Sequence, residues 1–86
     1  MFLELLIEKL KHYKIPESEY SFEYRSDMAE DCIYIEHKDD FWDVCDNKRQ
    51  ENKIVGRFTG EYSAQKFLFY LVMKKHVSLK KRWFWM

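Results

Sequence analysis

The apolar period of this chain changes twice, and those changes leave few folds open to it. Phe2, Leu3, Leu6, Ile7, Leu10 and Tyr13 recur at spacings of three and four, which predicts an amphipathic helix over residues 2–13 with Glu4, Glu8, Lys9 and Lys11 on its wet side. Ile15-Pro16 ends it, because the residue before proline is pushed out of the helical region. From Tyr20 the period is two: Tyr20, Phe22 and Tyr24 alternate with Ser21, Glu23 and Arg25, the pattern of a half-buried strand. A polar connection over residues 26–31 leads to a second strand over 32–37, a turn at Lys38 to Asp40, and a third strand over 41–46. A polar loop over 47–53 precedes a fourth strand over 54–58. Thr59 is the expected N-cap of a second helix over about 61–76, and Glu61 suits the positive end of its dipole.

The expected fold is α+β in two layers: helix, four-stranded antiparallel meander, helix. With Lys38 and Asp39 as the turn, Ile33 falls opposite Val44 and Ile35 opposite Trp42. All four then share a face, and a one-residue slip would break that agreement. Pairing Val44 with Ile54 places Trp42 opposite Gly56, where the missing side chain leaves room for an indole. The face toward the helices is then Tyr20, Phe22, Tyr24, Ile33, Ile35, Trp42, Val44, Ile54 and Phe58. The other carries Glu23, Arg25, Cys32, Tyr34, Glu36, Phe41, Asp43, Cys45, Val55 and Arg57.

Eighty-six residues make one domain with a modest core, and an aromatic content of 19% lets a few large rings fill it. Residues 1–76 are expected to form that domain and 77–86 a basic, aromatic tail. The amino terminus has charges inside its apolar run and no cationic region before it, unlike a signal peptide. The longest apolar run, Phe67 to Met73, is far short of the ~20 residues that span a bilayer. Two cysteines suit a reducing compartment, so a cytoplasmic protein is the default expectation.

A formal net charge of zero conceals a sharp asymmetry. Residues 17–46 hold eleven acids against Arg25 and Lys38, whereas residues 47–86 hold ten bases against Glu51 and Glu61. Such segregation points to an electrostatic partner, although two halves that interleave in space would cancel. Carboxylates at strand spacing around two aromatics offer a basic protein partner both charge steering and anchors. The residues expected to bind are Glu23, Tyr34, Glu36, Phe41 and Asp43 on the sheet, with Asp39 and Asp40 in the turn. A solvated sheet face would alternate in the same way; the exposed Tyr and Phe favour binding.

Chemistry of the chain's own is expected to be absent. His12, Cys32, His37, Cys45 and His76 form no closely spaced pair of metal ligands, so neither metal nor cofactor is expected. Cys32 and Cys45 are placed near each other across the central hairpin, two thiols without further ligands. A nucleophilic Cys45 beside His37 would sit among carboxylates that raise its pKa, the wrong direction for activation. There is no Gly-rich phosphate loop, and a pair such as Glu36 and Asp43 on an open sheet lacks a cleft.

The competing signal is the tail. Lys80, Lys81 and Arg82 would track phosphates while Trp83 and Trp85 stack bases, as in single-strand binders. The neutral total and acidic middle weigh against nucleic acid, and the same rings folding back over helix 2 is the expected arrangement. A third reading is a structural homodimer through helix 2, where Phe69, Tyr70, Val72 and Met73 would form an apolar patch if left uncovered.

A short amphipathic helix, an aromatic-rich meander and a closing helix entered through GRFTGEYSAQKFLFYL (residues 56–71) resemble the small α+β immunity proteins of bacterial toxin systems, including contact-dependent growth inhibition. The resemblance spans residues 1–76 as an overall pattern. It implies a cytoplasmic inhibitor that binds one cognate toxin domain, frequently a nuclease, with acidic residues set against the toxin's basic cleft. No functional residue is carried over by position, and the basic tail departs from the pattern.

Overall fold

In the computed structural model the chain is described over residues 2–24, 30–48 and 51–85; side chains are described for these except 48, 51 and 77–85. Helix α1 (Phe2–His12) is followed by a 3-10 turn (Glu17–Glu19) and strands β1 (Tyr20–Ser21), β2 (Ile33–Lys38), β3 (Phe41–Lys48) and β4 (Glu51–Phe58). Helix α2 (Glu61–Trp85) closes the chain. The fold is α+β, with two helices and one four-stranded sheet in the order β1-β2-β3-β4.

Helix α1 ends as its apolar spacing requires. Lys14 turns left-handed at φ 58° while the Ile15 N–H donates to the Leu10 carbonyl and the Lys14 N–H to that of Lys11. These are the two hydrogen bonds of a Schellman cap, and its usual apolar contact is present, since Leu10 and Ile15 both enter the core.

The sheet is mixed. Instead of the expected antiparallel meander, β1 runs parallel to β2, with Tyr20 beside Ile33 and Ser21 beside Tyr34. Residues 22–32 are too many for a tight hairpin and of the length that a return across the sheet demands. In the described part of that connection Tyr24 leaves the expected core face, and its ring lies 5.8 Å from that of Tyr34, on the face away from the helices. Arg25 lies outside the described residues.

The β2–β3 turn is Asp39-Asp40, one position later than expected. Ile35 therefore faces Val44, His37 faces Trp42 and Ile33 faces Asp46. The slip moves each partner by two positions, an even number, so the division of residues between faces survives. Asp39 adopts a left-handed φ of 50°, which Asp tolerates better than most side chains.

Strand β4 departs further. Val44 pairs with Gly56 and Trp42 with Phe58, yet Cys45 pairs with Ile54, so a bulge at Val55 inverts the side-chain direction of the strand beyond it. Ile54, expected in the core, is exposed as a result. The connection before β4 is also shorter than expected, since β3 runs to Lys48 and β4 begins at Glu51.

The core lies between one sheet face and the two helices: Leu10 and Ile15, Tyr20, Ile33, Ile35 and Val44, and Ala64, Leu68 and Val72 of α2. Gly56 gives up its side-chain space to Phe67 of α2 and Phe58, not to the Trp42 indole. A Cβ there would come within 2.8 Å of the Phe67 ring and 3.0 Å of the Phe58 ring. Gly56→Ala is expected to lose about 1–3 kcal/mol by overpacking, read as a lower urea midpoint with unchanged slope.

The first turn of α2 closes with the Ala64 N–H on the Gly60 carbonyl, which places the cap at Gly60, one residue after Thr59. The helix also continues to Trp85 and does not stop near His76. A continuous helix cannot double back on itself, so the expected folding of residues 77–86 over α2 is not realised as far as Trp85. Of the patch expected to drive dimerisation, Val72 is buried, Phe69 and Met73 pack against the core, and Tyr70 alone is exposed. No helix among the described residues is long and apolar enough to cross a membrane.

Candidate binding surface

The sheet face away from the helices is not the open acidic surface that strand alternation suggests. Tyr34 is 1% exposed and Asp43 0%, and Cys32 and Cys45 are buried beside them. Tyr24 covers part of this face through its contact with Tyr34. Burial of Tyr34 and Asp43 removes both as direct contacts for a partner.

Asp43 is tied to Arg57, its cross-strand neighbour on β4. Arg57 Nε donates to Oδ1 at 2.8 Å and Nη2 to Oδ2 at 3.1 Å, a two-point fork that satisfies both carboxylate oxygens. Its hydrogen bonds hold the Asp43 carboxyl below the usual carboxylate range against the opposing effect of burial. The same guanidinium sits 5.2 Å from the centre of the Phe41 ring, so Phe41 is braced from beneath. Glu36 is half-buried and pairs with Lys38 at 2.9 Å, which consumes another expected acid.

Cys45 faces Tyr34 across β2 and β3, and Cys32 lies beside Asn47 at the end of the ladder. The thiols are thus not directly opposite, and both are free. Burial pushes the Cys45 thiol up, with a smaller opposing effect from the Tyr34 hydroxyl in hydrogen-bonding reach, and burial likewise raises the Tyr34 phenol. Among the described residues no group of three His, Cys, Asp or Glu side chains converges as metal ligands would.

What remains accessible is the end of the β2–β3 hairpin. Asp39, Asp40 and Phe41 are consecutive and exposed, Phe41 by 40%. Just behind them His37 lies flat on Trp42, ring centres 3.8 Å apart and planes 2° from parallel, so the apex stands on a stacked cross-strand pair. Glu23 is exposed in the β1–β2 connection. The expected binding residues therefore divide, with Asp39, Asp40, Phe41 and Glu23 open to solvent and Tyr34 and Asp43 internal. The side chains of Lys80, Lys81, Arg82, Trp83 and Trp85 lie outside those described; their backbone extends α2.

A reading by strand alternation missed Arg57 as the partner of Asp43. The signal was present: opposite charges fall on one sheet face, but the correct pairing needs the bulge to be known. Neither a protein-family model, a curated protein nor a solved structure matches the chain.

Proposed function

We propose that this chain is a non-catalytic binding protein that neutralises a basic protein partner, a bacterial toxin domain in the first instance, through the apex of its β2–β3 hairpin. The observation that carries the reading is the exposed run Asp39-Asp40-Phe41 on the His37–Trp42 stack. Two carboxylates steer a cationic surface toward an aromatic ring held from below by Arg57. The groups with latent chemistry are committed elsewhere: Asp43 to Arg57, and Cys45 to an apolar setting that keeps its thiol protonated.

The test is co-purification with the product of a neighbouring gene, followed by affinity measurements on hairpin variants. Asp39→Lys with Asp40→Lys is expected to weaken the complex at least about tenfold, about 1.4 kcal/mol, chiefly through a slower and less salt-sensitive association. Phe41→Ala should instead speed dissociation. Unchanged affinity and salt dependence in the folded double variant would rule the hairpin out.

One observation favours a second reading. Since α2 runs on to Trp85, the basic and aromatic tail sequence extends along a helix beyond Val72, the last α2 residue in the buried core. Retention on RNA that falls steeply with salt, and that Lys80→Ala with Lys81→Ala abolishes, would replace the protein-partner reading with nucleic-acid binding.

A further inference from the structure

At the end of the sheet remote from the hairpin apex, α2 and the sheet leave a crevice of about 300 Å³. Ile33 and Val55 from the sheet and Leu71 from α2 give it apolar walls; Lys74 and Lys75 stand on the helix side and Asp46 on the strand side. Asp46 Oδ1 is shielded from solvent and has no hydrogen-bond partner. Neither lysine is committed to it: Lys74 Nζ lies over the Tyr70 ring, 5.8 Å from its centre, and Lys75 Nζ donates to the Asp31 carbonyl at 3.3 Å. A shielded carboxylate oxygen without a donor costs free energy that a ligand N–H would recover.

We infer that this crevice binds an α-carboxylate whose neighbouring nitrogen carries a hydrogen and whose side chain is apolar, the chemistry shared by a free aliphatic amino acid and the last residue of a peptide chain. Each part of such a ligand meets its complement. The nitrogen donates to Asp46 Oδ1, the carboxylate lies between the ammonium groups of Lys74 and Lys75, and the side chain covers Ile33, Val55 and Leu71. Two cations against one anion favour a ligand with an uncompensated or balanced carboxylate over a purely cationic one. The volume is at the small end for ligand sites and suits a single residue. The crevice is about 15–20 Å along β3 from the hairpin apex, given the strand rise, so it is independent of the proposed partner surface.

The test is a titration of the isotopically labelled full chain, followed by amide chemical shifts, with L-leucine, acetyl-Gly-Leu and acetyl-Gly-Leu amide. Saturable shifts centred on Asp46, Val55, Leu71 and Lys75, with the amide bound at least tenfold more weakly than its acid, are expected. Tighter binding of L-leucine assigns a free amino acid; tighter binding of the acetylated acid assigns a chain terminus. Asp46→Ala and the pair Lys74→Ala with Lys75→Ala should each reduce affinity at least fivefold in variants whose spectra show the native fold. Three results would overturn the assignment: no saturation up to about 10 mM, a limit set by affinities weaker than any specific site of this kind; equal binding of acid and amide; or full affinity in the folded Asp46→Ala variant.

Discussion

Asp43→Lys is expected to unfold the domain at neutral pH. The side chain is fully buried, and both its oxygens are held by Arg57, so the substitution sets a second cation against a guanidinium in a space without water. Breaking a buried pair from one side costs about 3–5 kcal/mol. At about 0.05–0.15 kcal/mol per residue, a chain of this length has about 4–13 kcal/mol in total. Far-ultraviolet circular dichroism and urea unfolding measure it, and a variant with the wild-type midpoint would show that the pair contributes nothing. Glu36→Lys is the contrast: that carboxylate is partly open to solvent, and its loss should leave the fold intact.

The same pair sets a pH dependence with a definite sign. Asp43 is held below its unfolded pKa of about 3.9, so its contribution is fully present above that value and is lost as pH falls through the lower folded value. Arg57→Leu reverses the direction, because burial without the guanidinium raises the carboxyl. The deficit of that variant relative to wild type should therefore be greatest at pH 7 and shrink on acidification toward pH 4. A deficit independent of pH would mean that Arg57 acts through its contact with Phe41 alone.

Leu68→Ala is the second large effect. Leu68 has no exposed surface and stands between Ala64 and Val72 on the α2 face that meets Leu10, Ile35 and Val44. Removing a side chain from such a site costs about 2–5 kcal/mol, and each kcal/mol shifts Tm by about 4–8 °C in a domain of this size. A fall of at least about 10 °C is expected on that scale. Tyr70→Ala, at a position 57% exposed, should change stability by about 0.5 kcal/mol or less. If the two variants melted alike, α2 would not be seated as described; if Tyr70→Ala dissociated a dimer, α2 would be an interface after all.

The hairpin apex was legible from residue order because Asp39, Asp40 and Phe41 belong to one turn, and a turn projects its side chains wherever the sheet is placed. Tyr34 and Asp43 were not. Strand alternation assigns each residue to one of two faces, and it did so correctly for both; it carries no information on whether the second face is covered. The path that brings Tyr24 onto Tyr34 follows from the parallel pairing of β1, a long-range event with no local signature.

The helix–strands–helix order, the ends of α1 and the inward face of β2 and β3 follow from residue order alone, since each depends on a period of 3.6 or 2, a proline or a turn only a few residues long. Tertiary packing decided the rest. The bulge at Val55 aims Arg57 at Asp43 and turns Ile54 outward, the ring of Phe67 claims the space above Gly56, and the crevice opens between α2 and the end of β3. Each of these depends on which distant atoms compete for one volume or one hydrogen bond. Alternation along a single strand cannot encode that competition, because it is resolved only when the helices and the sheet meet.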